Sequence, residues 1–215
     1  MHHYKLVIFD WDGTVMDSVA RIVSSMQSAA KDLALEIPSA EQVREIIGLS
    51  LPKAAEILFP KLTAAIGESL HQRYKVQYKA LDTTPTPLFD NAINLLEQLR
   101  QQDKLLAVAT GKGRDGLERV WQMTDTKHYF HSSRCGYECQ SKPHPEMLEQ
   151  ILAELNVRPE EAVMIGDTRH DMAMAKNANV DRIGVTYGVD DKITLAQYQP
   201  KAIVDSLFEL QDLLL

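Results

Sequence analysis

The chain of 215 residues contains only two cysteines, Cys135 and Cys139. A disulfide framework is therefore not expected to hold it together, and a reducing cytoplasm is the expected setting. No apolar run approaches the roughly 20 residues that a membrane-spanning helix needs. The opening residues offer His2, His3 and Lys5 before a short apolar stretch that runs straight into an acidic motif. That is too short for a secretory signal and has no cleavage site. Positive charge is also scarce: 23 Lys and Arg stand against 30 Asp and Glu, a formal net charge of -7. This balance argues against general affinity for nucleic acid or an anionic membrane, yet leaves room for a locally positive pocket that takes a small anion. Internal repeats and low-complexity segments are absent too. What is there is an ordinary globular composition, 45% hydrophobic and 25% charged. The length suits one large domain, or a core with a smaller inserted one.

Residues Leu6 to Asp17 carry the most information. The apolar run Leu6–Phe9 delivers two carboxylates, Asp10 and Asp12, to the point where a strand must end, and Gly13 lets the backbone turn. Residues i and i+2 of an extended chain lie on the same side, so both acids point into one site. Two such charges repel unless a cation or a shared proton compensates, which suggests a hard metal ion with oxygen ligands. Trp11, between them, faces the other way and is expected to pack.

Four segments are apolar throughout rather than alternating, as buried parallel strands are: Leu6–Phe9, Leu105–Ala109, Ala162–Ile165 and Arg182–Val185. Helical periodicity fills the gaps. Ile93, Leu96 and Leu99 follow Asp90, an expected N-cap, and Leu148, Ile151, Leu152 and Leu155 follow Pro143-His144-Pro145. Strand, helix, strand at these lengths implies right-handed crossovers and an α/β, doubly wound (Rossmann-like) parallel sheet. Residues 18–84 break the alternation. Their apolar positions, Ile22, Met26, Ala29, Ala30 and Leu33, then Val43, Ile46 and Ile47, read as helical, and Thr83-Thr84-Pro85-Thr86-Pro87 reads as a stiff linker back to the core. The expected division is a core of residues 1–16 and 86–215 with an inserted helical cap at 17–85.

Three further strand ends carry complementary groups. Thr110-Gly111-Lys112 supplies a hydroxyl and backbone N–H groups of the kind that bind a phosphate oxygen. Gly166-Asp167-Thr168-Arg169-His170-Asp171 adds two acids at a helix start. Lys142-Pro143-His144-Pro145 presents a lysine on a proline-stiffened loop. Ligands of open α/β sheets bind outside the carboxyl ends of the strands, so these groups converge on what reads as a phosphoryl-transfer site.

Asp10-x-Asp12-Gly13-Thr14, Thr110-Gly111, Lys142-Pro143 and Gly166-Asp167-x3-Asp171 resemble, in order, the four motifs of the haloacid dehalogenase superfamily, over Lys5 to about Gly188. The helical insertion after the first motif resembles the cap of its phosphoglycolate phosphatase-like and β-phosphoglucomutase-like branch. The resemblance implies Asp10 as nucleophile forming an aspartyl-phosphate and Asp12 as general acid–base. It also implies Mg²⁺ held by Asp10, the backbone carbonyl of Asp12 and Asp167. Thr110, Gly111 and Lys142 would bind the substrate phosphate, with Asp171 orienting Lys142 or a metal-bound water. Asn91 and Asn179 stand where relatives commonly have Gly, and Asn is the usual second choice for a left-handed conformation.

The implied activity is a Mg²⁺-dependent phosphomonoesterase acting on a small cytosolic phosphate ester, by a monomer or weak dimer. A sugar-phosphate mutase of the β-phosphoglucomutase type is the alternative, and a phosphate-ester binding protein that has lost catalysis is the non-enzymatic one. Dehalogenation and phosphonate cleavage are disfavoured because the relatives with those chemistries lack the acid that Asp12 supplies. Arg44, Lys53 and Arg73 are candidates to reach the substrate from the cap. Ile47-Gly48-Leu49-Ser50-Leu51 reads as the loop that closes over the site, with Gly48 a hinge candidate. His128-x2-His131-x3-Cys135-x3-Cys139 has residue types that suit zinc. The same segment must supply the third strand, however, where alternate residues face opposite ways, and it lacks C-x2-C spacing.

Overall fold

The computed structural model describes residues 4–215; Met1, His2 and His3 lie outside the described residues. Its six strands are β1 (Leu6–Phe9), β2 (Leu105–Thr110), β3 (Ser132–Cys135), β4 (Ala162–Gly166), β5 (Asp181–Val185) and β6 (Ala202–Val204). All pair in parallel, in the order β3-β2-β1-β4-β5-β6. The chain thus winds outward from β1 through β2 to β3, then crosses to β4 on the other side of β1. That reversal opens a crevice at the carboxyl ends of the central strands.

The four unbroken apolar segments are β1, β2, β4 and β5, each with a helix-covered face on both sides. Alternate residues of a strand face opposite layers. Val7, Phe9, Leu106, Val108, Val163 and Ile165 pack against α5 (Ala92–Gln101), α6 (Arg114–Thr124) and α10 (Leu207–Leu214). Leu6, Ile8, Ala107, Ala109 and Met164 pack against α7 (Glu146–Leu155) and α8 (Arg169–Asn177). The short helix α9 (Lys192–Ala196) joins β5 to β6. β3, Ser-Ser-Arg-Cys, carries no apolar run because it is an edge strand bonded only to β2. β6 escaped the sequence reading because it is three residues long.

Two details of α5 differ from expectation. Its N-cap is Asn91, left-handed at φ 70°, instead of Asp90. Its inward residues are Ala92, Leu95, Leu96 and Leu99, while Ile93 is exposed. Starting at Ala92, the i, i+3, i+4, i+7 stripe passes through Leu95 and leaves Ile93 on the flank. Asn179 is also left-handed, at φ 56°.

Between β1 and α5 the chain is helical: α1 (Val19–Asp32), α2 (Ala40–Glu45), α3 (Leu51–Leu58), α4 (Ala64–Val76) and a π-helical turn, Gln77–Leu81. These helices bury a cluster of their own that includes Ile22, Met26, Ala29, Ala30, Val43, Ile46, Ile47 and Leu70, with Leu33 at its margin. Residues 82–87 have no regular structure. Asp82 ties their start to α1 by accepting hydrogen bonds from the Ser24 and Ser25 hydroxyls.

Candidate active site

Asp10 follows the last residue of β1 and is 1% exposed. Its Oδ1 accepts a 2.8 Å bond from Nζ of Lys142, which also donates to Asp171 Oδ1 at 2.6 Å. Lys142 is itself 1% exposed, so it is no surface lysine. Burial opposes its charge, but Asp10 and Asp171 outweigh that and hold the ammonium well above its usual range. Asp10 moves the other way: burial and the neighbouring Asp171 and Asp12 push it up to about 7, against the pull of Lys142. Asp167, fully buried, is raised mainly by burial and then by Asp10 and Asp171.

Each acid is oriented by a different element. Thr14 donates to Asp167 Oδ1 at 2.8 Å, and the backbone N–H of Val189 donates to its Oδ2 at 2.9 Å. Asp171 completes the capping box of α8: its Oδ2 accepts from the Thr168 N–H and hydroxyl, at 3.1 and 2.6 Å. The helix-capping role and the contact with Lys142 therefore fall to one side chain through its two oxygens. Gly13, at φ +83°, brings the turn after β1 so close to Asp167 that a Cβ there would lie 2.2 Å from its Oδ2. Only glycine combines that conformation with that approach.

Asp12 lines the same cleft as Asp10, as the i, i+2 argument requires. Its Oδ1 accepts from the Ser18 hydroxyl at 2.6 Å and pairs with Lys112 Nζ at 3.0 Å. The Asp12 carboxylate is thus turned toward Ser18 and Lys112, while ligand oxygens of Asp10, Asp167 and Asp171 lie within 4.8 Å of one another. Asp10 Oδ2 is buried and accepts no hydrogen bond among the described residues. A crowded, oxygen-only set with an orphaned carboxylate oxygen fits a hard divalent cation. Thr110 is buried at the end of β2, and its hydroxyl accepts from the Lys112 N–H at 3.2 Å. The N-cap of α6 is Gly113, so Thr110 is not spent on capping.

The helical insertion closes over this floor. A Cβ on Gly111 would meet the carbonyl oxygens of Leu49 at 2.3 Å and Gly48 at 2.5 Å, so the 47–51 loop lies directly on the second motif. Ser50 N–H donates to Ser141 Oγ at 2.9 Å, a His170 ring nitrogen lies 2.9 Å from the Glu45 carbonyl, and Lys79 pairs with Asp115 at 2.6 Å. Gly48 is left-handed at φ +94°. The cleft beneath is lined by Ile22, Met26, Ile47 and Leu51 together with Tyr74, Tyr78, Lys112, Arg119 and Tyr137.

The cap cations singled out in the sequence are elsewhere. Arg73 pairs with Asp32, Lys53 pairs with the exposed Glu56, and Arg44 does not line the cleft. Helical periodicity locates the apolar side of an element, not which charge overhangs a site on another element. The cations that line the cleft are Lys75, Lys79, Lys112 and Arg119. Of these, Lys112 carried a signal, its place beside Thr110-Gly111.

Trp11 packs edge-on against Trp121 and Phe130, at centroid distances of 6.4 and 6.1 Å. The zinc alternative fails on geometry: among the described residues none of His128, His131, Cys135 or Cys139 enters a cluster that could hold a metal. His131 accepts from the Leu106 N–H through Nδ1 at 3.0 Å and meets Arg100 through Nε2, while Cys135 is buried in the core.

The profile of the haloacid dehalogenase-like hydrolases matches residues 7–185. The chain is 33% identical to the "Probable phosphatase IndB" of Dickeya dadantii (strain 3937), covering 95% of this chain and 91% of that one. It is 27% identical to the phosphoglycolate phosphatase of Vibrio vulnificus (strain CMCP6), covering 98% and 96%. Among solved structures, a haloacid dehalogenase-like family hydrolase of Streptococcus pneumoniae superposes with a TM-score of 0.84 at 26% identity, covering 99% of each chain. The chain belongs to the haloacid dehalogenase-like hydrolase family.

Proposed function

We propose that this hydrolase is a Mg²⁺-dependent phosphatase that cleaves a small phosphate monoester, phosphoglycolate-like or sugar-phosphate-like, through an aspartyl-phosphate on Asp10. The observation that carries the reading is the orphaned Oδ2 of Asp10, buried at the base of the cleft while the Oδ1 of the same carboxylate is held by Lys142. The names of the relatives support the same reaction class.

Asp10 Oδ2 attacks phosphorus, and the bond from phosphorus to the ester oxygen breaks. Asp12, in its protonated form, gives its proton to that oxygen as the alcohol leaves. The resulting carboxylate takes a proton from water, the hydroxide attacks phosphorus, and the Asp10–phosphorus bond breaks to release inorganic phosphate. Thr110, the Gly111 N–H and Lys142 hold the phosphoryl oxygens. Magnesium, held by Asp10, Asp167 and the Asp12 carbonyl, would neutralise charge on those oxygens. Asp171 positions Lys142. Residues 17–85 act as the cap that excludes water and selects the ester, and the protein works in the cytoplasm.

A magnesium-dependent phosphate-release screen over phosphoglycolate, sugar phosphates, nucleotides and pyrophosphate tests the activity. Rapid quenching followed by mass spectrometry should find one phosphoryl group on the peptide that contains Asp10. Turnover without that adduct, and undiminished in Asp10→Asn, would sink the nucleophile assignment.

A further inference from the structure

The upper part of the cleft holds an excess of positive charge that the reaction above does not use. Tyr78 lies in the π-helical turn, and π-turns inside helices are frequent at functional sites. Lys112 Nζ lies 4.8 Å from its ring centroid, Arg119 Cζ 5.5 Å and Arg21 Cζ 5.7 Å. Three cations thus share one aromatic face or edge. Lys112 has a counter-charge in Asp12, and Lys79 has one in Asp115. Arg119 forms no ion pair among the described residues. Its Nε and Nη2 are buried without a hydrogen-bond partner, and its Nη1 reaches only the sulfur of Met123, at 3.0 Å. The hydroxyl of Tyr78 is buried and unpartnered as well. Both side chains line the cleft that Asp10 and Asp12 line.

A half-buried guanidinium with two buried N–H-bearing nitrogens left unpaired, close enough to Lys112 to work against its charge, is a costly arrangement unless an anion completes it. The planar fork of arginine matches the two oxygens of a carboxylate or phosphate. Resting on the phosphatase reading, we infer that Arg119, with the Tyr78 hydroxyl, binds a second anionic group on the leaving alcohol. The preferred substrate is then a phosphate monoester whose alcohol carries a carboxylate or a further phosphate, and Arg119 is the residue that selects it.

The test compares phosphate release, with magnesium, from 2-phosphoglycolate, its methyl ester and ethanediol bisphosphate. A charge-assisted arginine contact predicts that the wild-type protein favours one or both anionic esters over the methyl ester by at least about twentyfold in kcat/KM. Which anionic ester leads tells whether the second group is a carboxylate or a phosphate. In Arg119→Met, which keeps an apolar stem, this preference should shrink to about threefold or less, chiefly through KM, and Arg119→Lys should regain part of it. Wild-type protein that hydrolyses all three esters equally well would overturn the inference while leaving the phosphatase reading intact, whatever the variants do. An equal fall on all three in Arg119→Met would overturn it too, by marking a structural role. Release from none of the three, nor from any ester of the wider screen, would defeat the phosphatase reading and this inference with it.

Discussion

The floor of the cleft and its roof are built on opposite principles. On the floor, Lys142, Asp171 and Asp167 each have their charge or their oxygens matched by protein groups, and one oxygen of Asp10 stands open. Under the roof, Arg119 and Tyr78 keep several polar atoms open and lean on apolar walls. A phosphoryl group is the same in every ester, so the groups that act on it can be fully preorganised. The alcohol differs from one substrate to another, and the groups that meet it wait for their partner.

Substitutions that separate floor from roof sharpen this contrast. Asp10→Asn should lower kcat by at least about a thousandfold, since no other group can take over as nucleophile. Stopped phosphate-release assays check this, with a melting curve to show that the fold survives. Lys142→Met leaves Asp10 and Asp171 buried without their cation. The expected loss is about 3–5 kcal/mol in denaturant unfolding at neutral pH, smaller in acid where the carboxylates take up protons. A variant as stable as the parent would show that the floor is not held by that lysine.

Gly111→Ala probes the seam between the two. Its methyl would collide with the Leu49 and Gly48 carbonyls. Pushing the 47–51 loop off the second motif should lower kcat/KM about a hundredfold, as ångström misplacements near a reacting centre do. An unchanged rate constant would mean that this loop can shift freely.

The smallest effect lies in the linker. Burial raises the Asp82 carboxyl, but hydrogen bonds from Ser24, Thr84 and Ser25 win and hold it at about 2. Because the folded value is depressed, the clamp contributes stability above the unfolded value of about 4 and loses it as pH falls toward 2. Asp82→Asn should destabilise by only about 1 kcal/mol at pH 7, the group being partly solvated, and by less near pH 2. Urea titrations of both proteins at the two pH values test the sign.

Much of the floor was legible in the sequence. Asp10, Thr110, Lys142, Asp167 and Asp171 sit in short motifs at strand ends, and strands that are apolar throughout announce themselves. The doubly wound sheet followed from their spacing. β3 was expected only as a strand somewhere within residues 128–139, because a polar edge carries no apolar run, and β6 was hidden by its brevity. The roof was almost illegible. Arg119 and Tyr78 carry no motif and lie 41 positions apart in the chain. Among the cap cations, Arg44, Lys53 and Arg73 were the candidates by sequence, and they bind neighbours or face solvent instead.

By itself the sequence determined the four central strands, the helical insertion and which acids stand at the strand ends, because strand periodicity and motif spacing are local properties of a chain. Only the tertiary structure decided that the Asp12 carboxylate faces Lys112 and Ser18, that Asp171 serves a helix and a lysine at once, and that Arg119 lies beside the Tyr78 ring with no counter-ion among the described residues. Those are relations between side chains from separate elements. Their energies come from burial and proximity, which no spacing along one chain records.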